Sequence, residues 1–283
     1  MLTGRILRHF VLAAWSAVCL LPLYWVAIGS FKSARDVANG PAFLPFVDFQ
    51  PTLNAWLYIL FDSGVDTLGR FANSLAVASF STILTLLLGG MAAFSVVRWR
   101  GSRFWQHRLM VAVLATRILP PIIVATPIYL MMNAIGGVDT WWALVIVYTT
   151  TNLPLALWLL RDGFADLSPD ILDAAEIDGA SFVSVFFTMA VPLARASIIA
   201  TGMLVFILSW NEFTLAVLLT TDHALTLPPY LAGQMAVRKQ MATAGPQWDF
   251  FCVLIMLMTT PLIAGTTLPP RLLTGAFVRA PHG

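Results

Sequence analysis

The chain carries apolar runs long enough to cross a lipid bilayer, and no other feature restricts its fold as strongly. A transmembrane helix needs about 20 mostly apolar residues to cross a hydrocarbon core of about 30 Å. Six such runs occur, and their approximate bounds are residues 10–31, 72–97, 109–133, 141–160, 195–219 and 250–268. We therefore predict an all-α, polytopic membrane protein in which residues 1–283 form one transmembrane domain of six helices.

Composition supports this prediction and excludes other classes of protein. Charged residues make up 11% of the sequence, whereas soluble domains contain about 25%. The basic residues are scattered, so the net charge of +2 indicates no nucleic-acid partner. The 4 histidines lack metal-ligand spacing, and neither Lys32 nor Lys239 follows the glycines of a phosphate-binding loop. We predict that the chain is not an enzyme and holds no metal or cofactor of its own.

The distribution of basic residues predicts which side of the membrane each loop occupies. Ten arginines fall on one side of the six runs and five basic residues on the other, while Arg117 falls inside the third run. Loops rich in arginine and lysine stay in the cytoplasm. We therefore predict that both termini and the loop at residues 161–194 are cytoplasmic.

The polar loop at residues 161–194 has the pattern of a helix-turn-helix. Ser168 can cap a helix that begins at Pro169, because its hydroxyl can accept a hydrogen bond from a free amide and proline suits the first helical position. Gly179 can end that helix, since glycine tolerates the left-handed conformation. One helical face carries Leu172, Ala175, Glu176 and Gly179. A second helical run covers residues 182–189, so the loop predicts a docking element held outside the membrane.

The same loop resembles a known signature. Asp173-Ala174-Ala175 is followed after three residues by Gly179 and, after nine more, by Met189-Ala190-Val191-Pro192. This resembles the E-A-A-x3-G-x9-I-x-L-P loop of ABC-importer membrane subunits, with Asp, Met and Val replacing Glu, Ile and Leu. The resemblance implies a coupling helix that sits in a cleft of an ATPase subunit. The residues implied in coupling are Asp173, Ala174, Ala175, Glu176, Gly179 and Pro192.

A second resemblance covers nearly the whole chain. The segment FILSWNEFTLAVLLT, followed by Thr226-Leu227-Pro228, is similar to the maltose-type family of carbohydrate importer permeases, in particular its shorter six-span partner. The similarity implies import of a sugar, oligosaccharide or polyol across a bacterial-type inner membrane. The partners it implies are a second, non-identical permease, two ATPase subunits that hold ATP and Mg²⁺, and an extracytoplasmic solute-binding protein. The C-terminal residues 275–279 depart from the family pattern, so a tail contact to the ATPase is not implied.

Polar residues inside the apolar runs are candidates for the solute path. Trp210, Asn211 and Glu212 lie together in the fifth run, and Asn152 lies in the fourth. An intramembrane carboxylate is a functional candidate, although a structural hydrogen bond between helices is the competing interpretation. Arg117 is either a charge inside the third span or another arginine of the cytoplasmic side.

The predicted outer segment covers residues 220–249, and its part at residues 230–249 is the candidate contact for the solute-binding protein, by analogy with the maltose-type partner. The residues chosen are Gln234, Met235, Arg238 and Gln240. Three alternatives to a carbohydrate importer remain from the sequence. They are an ABC importer for another solute such as glycerol phosphate or amino acids, an ion-coupled secondary transporter, and a structural membrane scaffold. A secondary transporter needs ionisable groups at the midplane, and only Arg117 and Glu212 qualify.

Overall fold

The computed structural model describes residues 2–38, 40–61, 66–99, 101–241 and 248–266. Within these residues the chain folds into fourteen α-helices, and the β pairing is a single isolated bridge between Pro45 and Phe49. The helices are α1 Leu2–Gly29, α2 Ala34–Ala38, α3 Asn54–Phe61, α4 Thr67–Arg98, α5 Arg103–Ala115, α6 Pro121–Ala134, α7 Trp141–Ala165, α8 Pro169–Ile177, α9 Phe182–Val185, α10 Val191–Leu193, α11 Arg195–Trp210, α12 Thr214–Leu219, α13 Leu227–Met241 and α14 Trp248–Thr266. The predicted all-α class is confirmed.

Four helices are long and apolar enough to cross a membrane as single spans. These are α1, α4, α7 and α14, and two bent helix pairs raise the number to six if each pair counts as one span. One pair joins residues 104–118 to residues 121–134 with a bend of 89°. The other joins residues 182–193 to residues 195–210 with a bend of 85°. The chain is therefore a multi-pass membrane protein.

Two of the predicted runs are discontinuous helices. In the run at 109–133, α5 gives way to a 3-10 turn at Thr116–Ile118, and α6 begins only at Pro121. Leu119 and Pro120 are extended there, with ψ of 124° and 133°, because a residue before proline avoids the helical conformation. In the run at 195–219, α11 ends at Trp210 and α12 begins at Thr214. Hydropathy detects apolar length, and it does not register these local breaks.

The chain divides into two compact units. The first contains residues 1–71 and 229–263, and the second contains residues 72–228 and 264–283. In the first unit, Lys32 is 3% exposed and its ammonium donates a hydrogen bond to the Ala42 carbonyl at 2.6 Å. The same ammonium lies 4.6 Å from the centre of the Trp25 ring and 5.2 Å from that of Phe49. Carbonyl and ring faces thus hold this buried cation.

The second unit has two separate apolar clusters along α7. Near the N-terminal half of α7, buried side chains of α6 and α12 such as Ala125 and Leu215 pack on α7 residues such as Val147. Near its C-terminal half, α7 packs on the end of α4 and on residues 172–194, with Phe94, Phe164 and Phe186 at the centre. The Phe94 ring centre lies 5.6 Å from that of Phe164 and 5.7 Å from that of Phe186. Each cluster buries one half of α7, and the polar residues between them form part of the candidate site.

Candidate functional site

The segment that resembles the coupling signature folds into short helices. α8 begins at Pro169 as predicted, but Ser168 makes no side-chain cap hydrogen bond. The prediction that the Ser168 hydroxyl caps α8 is therefore wrong, since proline supplies no amide at the first position and the hydroxyl stays outside bonding range of the next ones. The capping bond occurs one helix later, where the Ser184 amide donates to the Ser181 hydroxyl at 3.2 Å.

Gly179 ends α8 in the left-handed conformation, with φ of +88°. Its amide donates to the Glu176 carbonyl at 3.0 Å, and the Ala180 amide donates to the Ala175 carbonyl at 3.0 Å. These two bonds satisfy carbonyls that the end of a helix leaves free. The predicted stop at Gly179 is confirmed, and the turn places α9 immediately after it.

The second helical run contains a π-helical turn that the sequence did not indicate. After α9, residues Phe186–Ala190 form this turn, and α10 follows with Pro192 inside it. Proline has no amide to donate four residues back and its ring would collide with that carbonyl. The wider turn before Pro192 removes this conflict. Pro192 of the signature therefore shapes the chain locally.

One face of α8 packs into the protein itself. Leu172 is 2% exposed and Ala175 is 5% exposed, and both belong to the cluster around Phe94. The centre of the Phe182 ring lies 5.1 Å from that of Phe94 in α4, so α9 also packs against α4. Ala175, which the signature places among the coupling residues, thus packs inside this chain.

The exposed side of α8 carries an apolar stripe that the sequence reasoning missed. Ile171 is 50% exposed, Ile177 is 85% exposed and Ala174 between them is also exposed. Residues three positions apart are neighbours on a helix surface, so Ala174 adjoins both Ile171 and Ile177. We name Ile171, Ala174 and Ile177 the docking stripe. The sequence did contain a sign of this stripe, because Ile171 and Ile177 are apolar but do not lie on the helical face that carries Leu172 and Ala175.

Arg98 fixes α8 to the end of α4. Its Nη1 lies 2.6 Å from Asp173 Oδ1, and its Nη2 lies 2.7 Å from Glu176 Oε1. The Arg98 side chain is 15% exposed, whereas those of Asp173 and Glu176 are 43% and 39% exposed. The carboxylate of the signature residue Asp173 and that of Glu176 are therefore turned towards α4 and engaged within the chain. Sequence reasoning placed Arg98 among the loop arginines and did not pair it.

A polar layer lies between the two apolar clusters of α7. Arg117 Nη2 donates to Asn152 Oδ1 at 3.1 Å, and Asn152 Nδ2 donates to the Ser209 hydroxyl at 3.0 Å. The Ser81 hydroxyl lies 3.2 Å from that of Ser209. Asn152 is 4% exposed. Its role in the structure is that of a hydrogen-bonded link between helices, which was the competing interpretation for this residue.

The three neighbours predicted for the solute path have different environments. Trp210 is 1% exposed and stacks on Phe206 with ring centres 6.0 Å apart, so its ring contacts protein. Asn211 is exposed and donates to the Ile207 carbonyl at 2.8 Å. Glu212 is half-buried, and its Oε1 accepts a hydrogen bond from the Leu215 amide at 3.0 Å. Glu212 therefore caps α12 while its charge stays beside the polar layer.

The predicted outer segment is helical over much of its length, because α13 covers Leu227–Met241. Gln234 is half-buried and Met235 is 38% exposed on this helix. The side chains of Arg238 and Gln240 lie outside the described residues. Of the four candidate contacts for the solute-binding protein, Met235 is thus the one whose side chain is described as exposed.

Asp139 holds the start of this segment in place. It lies between α6 and α7 with φ of 60°, and its carboxylate accepts four backbone hydrogen bonds of 3.0–3.1 Å. The donors are the amides of Thr221, Asp222, His223 and Ala224. Burial alone would raise the pKa of Asp139, but the four amides stabilise the anion and lower the pKa to about 2.

Comparison with known proteins identifies the class. Residues 85–274, more than half of the chain, match the family described as binding-protein-dependent transport system inner membrane component. The chain belongs to this family. It is a permease component of an ABC transport system, a class that works with ATPase subunits and solute-binding proteins.

Individual relatives are similar over most of their length. The trehalose/maltose transport system permease protein MalG of Thermococcus litoralis is 31% identical over 264 residues, which cover 92% of this chain and 90% of that protein. The trehalose transport system permease protein SugB of Mycobacterium tuberculosis is 34% identical over 215 residues, 75% of each chain. A solved bacterial ABC transporter for import of the acidic polysaccharide alginate matches the fold with a TM-score of 0.74 at 19% identity, covering 98% of this chain and 97% of that one.

Proposed function

We propose that the chain is one of two non-identical permeases of an ABC importer for a sugar, oligosaccharide or polyol. The observation that carries the coupling part is the docking stripe, an exposed apolar face on a helix tied to the end of a transmembrane helix. Support for the substrate class comes from relatives whose names specify trehalose, maltose and diacetylchitobiose. Two ATPase subunits would bind ATP and Mg²⁺, so the chain itself would not hydrolyse ATP.

The docking stripe suits a partner surface better than water. Ile177 exposes 85% of its surface outside the membrane spans, where a large apolar side chain gains free energy when a partner covers it. In the proposal, Ile171, Ala174 and Ile177 enter the cleft of the ATPase. The carboxylates of Asp173 and Glu176 hold the helix through Arg98 at 2.6 and 2.7 Å.

The direct test of coupling is co-purification of the ATPase subunits with the permease in detergent. We expect Ile177→Asp to reduce ATPase recovery at least tenfold, because a buried charge without a partner is costly. Ile135→Asp is the matched control, since Ile135 is 62% exposed at the end of α6. Equal recovery for Ile177→Asp and the control would refute the assignment of the docking stripe.

The substrate class is tested by uptake. The complete complex in proteoliposomes, with its binding protein and internal ATP, should accumulate at least one of trehalose, maltose and diacetylchitobiose. An importer for glycerol phosphate is the second candidate within the class. Uptake of glycerol phosphate without uptake of any sugar would replace the proposed substrate.

We also propose cytoplasmic termini and a cytoplasmic segment at residues 161–194, supported by the excess of ten arginines over five basic residues. The predicted outer segment would then meet the solute-binding protein through α13, with Gln234, Met235, Arg238 and Gln240 as the proposed contacts. Labelling of single cysteines at Ser168 and Met235, both exposed, by a membrane-impermeant maleimide tests this orientation. Only the cysteine at Met235 should react in intact cells.

A further inference from the structure

The depth of Arg117 in the membrane follows from its hydrogen-bond partners. Asn152, which accepts from Arg117 at 3.1 Å, lies 11 residues after the first and 13 before the last residue of α7, Trp141–Ala165. At about 1.5 Å per residue, either end of the helix is about 16–20 Å away. Ser81 in the same layer lies 14 residues into α4 and 17 before its end. Arg117 is therefore near the middle of the bilayer and is not an arginine of the cytoplasmic edge.

The break between α5 and α6 and the break between α11 and α12 both lie at the depth of Asn152 in the membrane. The 3-10 turn Thr116–Ile118 carries Arg117, and the break at residues 211–213 follows directly after Ser209. Asn152 is hydrogen-bonded to both Arg117 and Ser209, so the two breaks flank the same point of α7. Irregular backbone at membrane depth is stable only inside protein or beside a water-filled cavity. In secondary transporters, solute sites are commonly built at such breaks near the midplane, because the broken helices offer polar backbone groups there.

Arg117 has capacity left for a ligand. A guanidinium has five N–H donors, and among the described residues the one hydrogen bond of its side chain goes to Asn152. The residue is nevertheless exposed. An exposed guanidinium at the midplane is very costly against lipid, so it must face water or the interior of the transporter.

Glu212 provides the complementary acceptor. Its Oε1 is used by the Leu215 amide, and its charge attracts the Arg117 guanidinium. One positive and one negative group give the pair no net charge. A neutral diol can donate to the carboxylate and accept from the guanidinium at once, whereas an anionic solute would be attracted by Arg117 and repelled by Glu212 and would gain little net attraction.

We infer that Arg117 and Glu212, presented by the two helix breaks, contact the hydroxyl groups of a neutral polyhydroxylated solute as it crosses the membrane. This inference rests on the proposed importer function. Asn152 and Ser209 are positioning residues, because they fix the guanidinium without reaching the solute.

The experiment uses the complete complex in proteoliposomes with the best neutral substrate among trehalose, maltose and diacetylchitobiose. Arg117→Gln should lower kcat/KM for uptake about 10- to 100-fold, the effect of losing a charge-assisted hydrogen bond. ATPase activity stimulated by the binding protein should remain. Arg108→Gln is the control, because Arg108 is another exposed arginine whose guanidinium carbon lies 4.9 Å from the centre of the Phe104 ring. It should leave uptake unchanged.

Glu212→Gln is a second variant that guards against misfolding, because its amide oxygen can still accept the hydrogen bond from the Leu215 amide. It removes the negative charge that compensates Arg117. We expect uptake of the neutral sugar to fall and the ratio of lactobionate to neutral-sugar uptake to rise at least fivefold. An unchanged ratio, or normal kcat/KM for Arg117→Gln, would overturn the inference. Failure of the wild-type complex to take up any sugar would instead refute the proposed function.

Discussion

The ion pairs of Arg98 lead to a prediction about energy coupling. Arg98→Gln removes the charge that holds both Asp173 and Glu176, at 2.6 and 2.7 Å. Both carboxylates are more than a third exposed, so each pair contributes about 0.5–1 kcal/mol and the two together about 1–2 kcal/mol. A loss of this size changes the population of the attached orientation of α8 about 5- to 30-fold.

The docking stripe does not depend on Arg98, so the variant should still bind the ATPase. What should fall is the number of solute molecules transported per ATP hydrolysed, because only the apolar contacts of Leu172 and Ala175 then transmit movement of α8 to α4. Proteoliposomes with the complete complex allow uptake and phosphate release to be measured in the same sample. Arg161→Gln is the matched control, since Arg161 pairs at 2.8 Å with its neighbour Asp162 and not with α8.

A double-mutant cycle separates the ion pair from a general loss of stability. Arg98→Gln and Asp173→Asn, measured alone and together by thermal unfolding in detergent, should show a coupling energy of about 0.5–1 kcal/mol. A coupling energy of zero, or an unchanged ratio of uptake to hydrolysis for Arg98→Gln, would refute the reasoning.

Two further predictions concern the backbone. Gly179→Val should destabilise the protein by about 1–3 kcal/mol and reduce uptake. The cost is backbone strain alone, because φ is +88° and nothing lies within 4 Å of an added Cβ. In thermal unfolding, the stability of Gly179→Asn should fall between that of Gly179→Val and that of the wild type. Asp139→Ala should lower stability at neutral pH by about 1 kcal/mol, a value discounted for solvent exposure. The Asp139 pKa is lowered to about 2, against about 3.9 in the unfolded chain, so its stabilisation is complete above about pH 4 and disappears towards pH 2. Unfolding curves that stay separated by the same amount at pH 2 would contradict the assignment.

Much of the fold could be predicted from the sequence because membrane helices leave a strong apolar signal. The start of α8 at Pro169 and its end at Gly179 also followed from local backbone preferences, which act within a few residues. The prediction that Ser168 caps α8 was wrong for an equally local reason. Whether its hydroxyl reaches an amide depends on a side-chain rotamer that the sequence pattern does not specify.

The rest depended on contacts between distant segments. Arg98 and Asp173 are 75 positions apart in the sequence, and nothing in either segment identifies the other as its partner. The burial of Ala175 beside the exposure of Ile177 required knowing which face of α8 meets Phe94. The depth of Arg117 likewise became clear only through its bond to Asn152. A single sequence contains these residues but not their pairing.

The polar layer gives the second unit a plane where it can deform at low cost. The apolar clusters on either side are closely packed, and any relative movement inside them opens voids. Between them, Ser81, Asn152 and Ser209 are joined by hydrogen bonds of 3.0–3.2 Å. Such bonds can exchange one hydroxyl for another, or for water, with little change in free energy. Because α4 and α7 run unbroken through this layer, deformation there is left to the two broken helices, whose segments can shift against α7 while these bonds exchange partners.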